Sequence, residues 1–275
     1  MIVKNSKRPK IGLALGSGGP KGLAHIGVIK VFLANKIPID YISGVSIGAM
    51  IGGFFAEKGD IKKVEKIALA TNWKLILSLL DPSFGQGLFG GDKVKNFIEK
   101  NVDKTPFKKL KIPLAVVATN IKNGQSVVMR EGELASAIRA SISFPLVFRP
   151  ARRRGKLLAD GGLSCPVPVE IVREMGADIV VAVNLDAKCF FNGGKDSDFG
   201  FYKIANSSIN LLRYHLAEQN IKTADVVIDP KLGRTNWSKF VDGKEIIAAG
   251  ERAAKKALPQ IKKLLAKKNE IIPSR

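Results

Sequence analysis

The chain has 275 residues, of which 45% are hydrophobic and 25% charged, so it is neither fibrous nor intrinsically disordered and is long enough for one large domain with a sizeable core. Lysine and arginine outnumber the acidic residues 45 to 24, and the formal net charge of +21 favours nucleic acid or an anionic bilayer surface as a partner. Aromatic residues make up only 7% and do not alternate with the basic ones, which makes nucleic acid the less favoured partner. A lysine-rich, solvated surface would explain the charge equally well.

Strand-like and helical patterns alternate along the chain. Short, continuously apolar runs are typical of strands buried on both faces of a parallel sheet. They occur at residues 11–15, 39–45, 114–119, 126–129, 157–159, 179–185 and 226–228. Helical patterns lie between them, at residues 22–35, 47–57, 61–80, 93–100, 133–140, 169–175, 202–222 and 244–257. The alternation predicts one layered α/β domain.

The two ends of the chain are basic. We divide the sequence into an extension over residues 1–10, a main domain over 11–230, and a basic helical segment over 231–275 that packs on or extends the domain. A separate last helix is predicted to start at Leu258, because Pro259 would then lie in its first turn.

Three observations bear on the compartment. The apolar run at 11–15 is shorter than the roughly 7–15 residues of a signal peptide's core, so we interpret it as the first strand. No apolar run approaches the roughly 20 residues of a membrane-spanning helix. The two cysteines, Cys165 and Cys189, do not indicate a disulfide framework and favour a reducing cytoplasm.

Residues 44–48 (GVSIG) have the G-x-S-x-G form of a nucleophile elbow, a sharp turn between a strand and a helix. Gly44 and Gly48 leave room for the turn, and Ser46 would lie at the helix N-terminus, where the dipole stabilises developing negative charge. Ser46 is therefore a candidate nucleophile. A structural role as the N-cap of the helix is the alternative.

A glycine-rich turn, residues 16–22 (GSGGPKG), follows the first predicted strand. It matches neither the Walker nor the Rossmann glycine spacing, which argues against a nucleotide site. Because proline has no N–H, the candidate donors to an oxyanion are the amides of Gly18, Gly19 and Lys21, with Gly16 and Gly22 shaping the turn. A plain helix-start turn without a ligand is the alternative. A nucleophile next to an oxyanion site predicts acyl transfer.

A serine nucleophile needs a base. The chain has only two histidines: His25 has the apolar surroundings of a structural residue, and His215 has no motif around it. A carboxylate is therefore the better candidate. Asp160 ends a predicted strand, the position at which parallel α/β sheets place their chemistry, and Gly161 and Gly162 follow it.

The three motifs together, G-G-x-[RK]-G at 18–22, G-x-S-x-G at 44–48 and D-G-G at 160–162, resemble the patatin-like phospholipase family over roughly residues 11–229. The resemblance implies a three-layer α/β/α fold with a mostly parallel central sheet, and it makes the main domain catalytic. It implies a dyad in which Ser46 is the nucleophile and Asp160 the general base, a glycine-loop oxyanion hole, and hydrolysis of lipid acyl esters without a metal or other cofactor. Residues 140–145 (ASISFP) are similar to the family's Ala-Ser-x-x-x-Pro stretch, which lines the site. Ser17 departs from the family, where a further glycine is common.

These features predict a serine lipid acyl hydrolase of the phospholipase A or esterase type. An acyltransferase or thioesterase with the same dyad, or a regulatory member of the fold with little activity, is the alternative. We expect a cytoplasmic protein in peripheral contact with the anionic inner membrane surface, through Arg152, Arg153 and Arg154 and through an apolar flap within residues 67–89 that covers the acyl pocket. A core helix followed by a loop is the plainer interpretation of that segment. Nothing in the sequence indicates an oligomeric state.

Overall fold

The computed structural model describes residues 8–70, 90–102, 105–186, 200–232 and 243–271. The strands in these ranges are β1 (Ile11–Leu15), β2 (Tyr41–Val45), β3 (Leu114–Asn120), β4 (Ser126–Met129), β5 (Ala151–Arg153), β6 (Lys156–Asp160), β7 (Ile179–Val183) and β8 (Val226–Ile228). The α-helices are α1 (Ala24–Ala34), α2 (Ile47–Lys58), α3 (Ile61–Ala70), α4 (Asp92–Val102), α5 (Leu134–Ser141), α6 (Val169–Glu174), α7 (Phe201–Asn220) and α8 (Gly243–Ile271).

The strands form one mixed sheet, in which hydrogen-bonded neighbours follow the order β5-β6-β3-β2-β1-β7-β8 and β4 also pairs with β3. The five strands from β3 to β8 along this order are parallel to one another. The pairs β3–β4, β3–β6 and β5–β6 are antiparallel. The predicted, mostly parallel sheet is therefore confirmed, with an antiparallel region around the far end of β3.

Helices cover both faces of the sheet. Along β1, Leu13 and Leu15 point into the larger core, to which α1, α2 and α8 contribute, while Ala14 points into a second core with residues of α6 and α7. This arrangement confirms the three-layer α/β/α architecture. It also explains why β1 and β7 are continuously apolar, since both of their faces are buried.

The hairpin of β5 and β6 shows a strand that the sequence analysis missed. Residues 149–156 (RPARRRGK) are strongly basic and lack the apolar run from which the other strands are predicted, so we assigned Arg152, Arg153 and Arg154 only to membrane contact. A two-residue turn joins the strands, with Arg153 opposite Lys156 and with φ values of 47° at Arg154 and 74° at Gly155. Positive φ at both central residues is the pattern of a type I′ hairpin turn, for which X-Gly is the usual sequence signal.

The prediction of a separate last helix starting at Leu258 is wrong. One helix, α8, runs from Gly243 to Ile271 with Pro259 inside it. Proline in a helix interior removes a hydrogen bond and costs roughly 3 kcal/mol. Burial of Ala254 and Ile261 in the main core, on either side of the proline, offsets that cost. The helix also packs closely on α1, since a Cβ on Gly27 would lie 2.0 Å from the carbonyl oxygen of Ile247.

Several predictions fall wholly or mostly outside the described residues. They concern the second half of the helix predicted at 61–80, the flap at 67–89, and Cys189. The division into an extension, a main domain and a C-terminal segment stays a prediction. No helix in the described ranges is both long and apolar enough to cross a membrane.

Candidate active site

Ser46 lies between the last residue of β2 and the first residue of α2, with φ 55° and ψ −122°. A positive φ is unfavourable for a residue with a side chain, and such strain persists only where the surroundings hold it. Here Ser46 N–H donates to Ser141 Oγ over 2.8 Å, and Ser141 Oγ donates to the carbonyl of Val117 over 2.6 Å. Side-chain and backbone groups of α5 and β3 thus fix the turn.

The motif glycines allow the close approach of neighbouring backbone. A Cβ on Gly48 would lie 2.2 Å from the carbonyl oxygen of Leu15, at the end of β1. A Cβ on Gly44 would lie 2.6 Å from the carbonyl oxygen of Gly48 itself. Any side chain at either position would push α2, and with it Ser46, away from the sheet.

β3 aligns β2, which ends just before Ser46, with β6, which ends at Asp160. Val45 of β2 is opposite Val117, and Asp160 of β6 is opposite the next residue, Ala118. β4 pairs with β3 at both of these positions and therefore occupies one edge of β3. β2 and β6 lie along the opposite edge of β3, one after the other. Because β6 is antiparallel to β3 and β2 is parallel, the carboxyl ends of β2 and β6 meet.

At this junction Ser46 Oγ donates a hydrogen bond to Asp160 Oδ2 over 2.6 Å. Asp160 closes its strand as the sequence predicts, but our reason for singling it out does not hold. The strand is antiparallel and does not belong to the parallel part of the sheet. The backbone N–H of Gly162 donates to the other carboxyl oxygen, Oδ1, over 2.8 Å and orients the carboxyl group.

The Asp160 carboxyl is buried, with 2% of the residue exposed. Burial raises its pKa, because a charged carboxylate loses its hydration. Three groups oppose that rise by favouring the charged form: the positive charge of Arg213, then the hydrogen bonds from Ser46 and Gly162. The negative charge of Asp186 raises the pKa further. A raised pKa makes a carboxylate a stronger base, and basicity is the property that proton abstraction from serine requires.

The glycine loop lies beside the same junction. Its backbone has φ 158° at Gly18 and 56° at Gly19, and a short 3₁₀ helix follows over Gly19–Leu23. A Cβ on Gly22 would lie 2.1 Å from Cγ1 of Ile47, the residue after Ser46, so the loop packs on the first turn of α2. This contact brings Gly18, Gly19 and Lys21 to the end of the sheet that carries Ser46. Their role as oxyanion donors stays a prediction.

Neither histidine has the surroundings of a catalytic base. His25 is completely buried, its Nε2 lies 2.8 Å from the carbonyl oxygen of Gly16, and burial lowers its pKa to about 4. It is therefore neutral near pH 7, and with its Nε2–H donating to that oxygen it supports the glycine loop. His215 is exposed on α7 and packs edge-on against the ring of Tyr214, 5.2 Å away.

A buried charged cluster next to Asp160 was not found from the sequence. Arg213 Nη2 of α7 donates to Ser17 Oγ and to Asp186 Oδ1, each over 2.7 Å, and Ser17 Oγ donates to Asp186 Oδ2 over 3.2 Å. Ser17, where the sequence departs from the family pattern, thus has a hydroxyl that is hydrogen-bonded to Arg213 and Asp186. An acidic residue just after the buried parallel strand β7 is a signal that could have indicated Asp186. Arg213 carries no comparable signal among 45 basic residues.

In the described ranges, no group of three or more His, Cys, Asp or Glu side chains is placed to hold a metal ion. The chemistry that the described site offers is that of a serine hydroxyl, a buried carboxyl group and a glycine-rich turn at the end of β1.

Comparison with known proteins identifies the family. A family model described as patatin-like phospholipase matches residues 13–173, which include both Ser46 and Asp160. An NTE family protein of Mycobacterium tuberculosis is 39% identical over 185 residues, covering 67% of this chain and 51% of the relative. A lysophospholipase NTE1 of Yarrowia lipolytica is 31% identical over 192 residues, covering 64% of this chain and 12% of the relative. The chain thus spans about half of the mycobacterial relative and a small part of the yeast one.

Among solved structures, VipD of Legionella pneumophila superimposes with a TM-score of 0.62 at 16% identity, covering 92% of this chain and 67% of that one. At this identity the likeness concerns the fold alone, and it agrees with the three-layer architecture. On the match of the family model to more than half of its length, this chain belongs to the patatin-like phospholipase family.

Proposed function

We propose that the chain is a serine lipid acyl hydrolase of the phospholipase A or esterase type, which works through a Ser46–Asp160 dyad. The observation that carries this proposal is the 2.6 Å hydrogen bond from Ser46 Oγ to the buried Asp160 carboxylate. A nucleophile bonded directly to its base is the arrangement that covalent acyl transfer requires. The strained turn at Ser46 and its position at the start of α2 support the same role.

In the proposed reaction, Asp160 accepts the hydroxyl proton while Ser46 Oγ attacks the ester carbonyl. The resulting oxyanion is stabilised by N–H groups of Gly18, Gly19 and Lys21 and by the N-terminal dipole of α2. The C–O bond to the alcohol breaks as Asp160 returns its proton to the leaving oxygen, which leaves an acyl-enzyme on Ser46. Asp160 then accepts a proton from a water molecule as that water attacks the acyl carbon. The bond from this carbon to Ser46 Oγ breaks as Asp160 returns the proton to Oγ, and the fatty acid leaves.

The names of the relatives support the substrate class that we propose. The family is named for phospholipases, and relatives in Yarrowia lipolytica and Neurospora crassa are named lysophospholipases. Because the chain spans only a small part of those two proteins, the acyl ester of a glycerophospholipid or lysophospholipid is our proposal for this chain.

We also propose that the protein contacts anionic membrane surfaces peripherally, as its net charge of +21 favours. Apolar side chains at the start of α7 are exposed: Phe201 by 83%, Tyr202 by 51% and Ile204 by 48%. Arg213, near the site, lies further along the same helix, so these exposed side chains belong to an element that reaches the site. Turnover of phospholipid should be faster in anionic than in neutral vesicles, and salt should reduce the difference. Equal turnover in both would contradict the proposal.

Labelling with a fluorophosphonate tests the dyad, together with hydrolysis of a graded series of p-nitrophenyl esters. Ser46→Ala removes the nucleophile, and Asp160→Asn keeps the shape of the base but not its basicity. Each should lower turnover by at least roughly 10³-fold, and Ser46→Ala should abolish labelling. Near-normal turnover in Ser46→Ala would overturn the mechanism. Absence of labelling and of turnover in the wild type, with vesicles present, would leave a binding protein.

A further inference from the structure

Arg213, Asp186 and Ser17 connect three segments that are distant in the sequence. Arg213 is on α7, Asp186 follows β7, and Ser17 lies in the glycine loop. All three are largely buried: the Arg213 and Asp186 side chains are 10% and 11% exposed, and Ser17 is 1% exposed. The Ser17 N–H also donates to the carbonyl of Pro166 over 2.8 Å, so both its backbone and its side chain are held.

We propose that Arg213 is a positioning residue of the acyl-transfer site, which keeps Asp160 ionised and anchors the glycine loop through Ser17. The inference rests on the proposed function, because it gives Asp160 the role of base. In this role the guanidinium of Arg213 acts through Asp160 and through the glycine loop, and it does not touch the reacting atoms.

The geometry places the guanidinium beside the carboxylate. A Cβ on Gly162 would lie 3.0 Å from Asp160 Oδ1 and 3.1 Å from Arg213 Nε, so these two atoms are at most about 6 Å apart. Arg213 Nε is buried and has no hydrogen-bond acceptor among the described residues. Arg213 therefore acts on Asp160 by charge through space, while its Nη2 is bonded to Ser17 and Asp186.

The charged groups around Asp160 are few in the described part of the chain. Arg213 from α7 lowers the pKa of Asp160, and Asp186 after β7 raises it by a smaller effect. The β2–α2 turn and β3 contribute only hydroxyls, of which Ser46 bonds the carboxylate and Thr119 bonds the carbonyl of Asp160 itself. Without Arg213, burial and Asp186 would both raise the pKa of Asp160, and no cation of the described residues would oppose them.

The consequence for activity has a definite sign. A general base must be ionised, so kcat/KM and the labelling rate fall as the pH drops below the pKa of Asp160. Removal of Arg213 raises that pKa. The acid limb of the profile of kcat/KM or labelling rate against pH should therefore move to higher pH. An opposite charge at this distance typically changes a carboxyl pKa by about 1 unit or more, so labelling on the acid limb should slow about tenfold.

The experiment measures the rate constant of fluorophosphonate labelling against pH for the wild type and four variants. Arg213→Gln should move the acid limb up by about 1 pH unit, and Arg213→Lys, which keeps the charge, should restore most of it. Arg213→Gln/Asp186→Asn should fall between Arg213→Gln and the wild type, because it also removes the opposing charge and leaves no unpaired buried ion. Lys222→Gln is the matched control, since it removes an exposed charge just after α7.

The outcomes separate this inference from the function on which it rests. One outcome is that the wild type labels while the acid limb of Arg213→Gln, or of the double variant if the single one does not fold, stays where it is in the wild type. That result overturns the role of Arg213 and leaves the proposed function standing. A rate reduced equally at every pH overturns the action of Arg213 on the charge of Asp160, because disturbance of the glycine loop alone would give that result. A wild type that does not label overturns the proposed function, and this inference with it.

Discussion

The two sides of the Ser46–Asp160 junction are built differently. On the nucleophile side, backbone packs so closely against backbone that positions 44 and 48 have no room for any side chain larger than that of glycine. On the base side, Asp160 is surrounded by polar and charged side chains, namely those of Ser17, Asp186 and Arg213, with Gly162 between them. The first side fixes the position of Ser46, the proposed nucleophile, and the second surrounds Asp160, the proposed base, with the groups that we propose set its charge.

This difference has a physical reason. Ser46 must hold an unfavourable φ, and only rigid neighbours can supply the energy that keeps it there. In its proposed role as base, Asp160 must be buried enough to have a raised pKa yet remain ionised, which requires nearby opposite charge and hydrogen bonds. Close packing serves the first requirement, and a polar cluster serves the second.

The largest effect that tests the comparison is expected from Gly48→Ala. The new Cβ would lie 2.2 Å from a backbone oxygen at the end of β1, so α2 must move away. We expect a loss of about 3 kcal/mol or more in the free energy of unfolding, and of about 10²-fold or more in kcat/KM, because Ser46 moves with the helix. Chemical denaturation and p-nitrophenyl ester hydrolysis measure the two.

Gly52→Ala is the matched control for this variant. Gly52 is buried on the same helix, but its Cβ would meet only side-chain methyl groups, Ile42 Cγ2 and Leu15 Cδ1 at 3.1 Å and Leu114 Cδ1 at 3.7 Å. These side chains can shift, and alanine favours the helix by about 1 kcal/mol. Gly52→Ala should therefore stay within about 1 kcal/mol of the wild type. If both variants behaved alike, close backbone packing would not be what fixes Ser46.

The two sides also differ in how much the sequence predicts. The nucleophile side is encoded by consecutive residues, 44–48, so one local motif indicates both the turn and the nucleophile. On the base side the D-G-G motif indicates Asp160, but the way β6 reaches the site depends on an antiparallel pairing that the apolar pattern cannot distinguish from a parallel one. The charged cluster joins residues 17, 186 and 213, and the sequence contains no pattern that separates one buried arginine from many solvated ones. The local turn at residues 44–48 is therefore predictable from the sequence, and the contacts between charged side chains that are distant in the sequence are not.

A smaller effect is expected from Ser141→Ala, which removes the side chain that holds the Ser46 turn from α5. The Ser46 N–H and the Val117 carbonyl would both lose their bonds to the hydroxyl. Loss of a buried partner costs about 1–3 kcal/mol, and we expect kcat/KM to fall about tenfold because the strained turn is no longer held. Ser43→Ala is the control. Ser43 lies three residues before Ser46, and its buried hydroxyl donates to the carbonyl of Pro168, which is not part of the Ser46 turn. A comparable loss of activity in Ser43→Ala would contradict the specific role of Ser141.

The smallest effect is expected on the base side, from Gly162→Ala. The new Cβ would lie 3.0–3.1 Å from Asp160 Oδ1, Arg213 Nε and Ser17 Oγ, all of which are side-chain atoms that can move by a few tenths of an ångström. We expect a loss of about 1 kcal/mol and a less than tenfold fall in kcat/KM, because the N–H that orients Asp160 is retained. Gly161→Ala, one residue earlier, would place its Cβ 2.2 Å from the backbone oxygen of Val117 and should be as damaging as Gly48→Ala. If Gly162→Ala were as damaging as its neighbour, the polar cluster would be as rigid as the backbone around Ser46, and the contrast between the two sides would disappear.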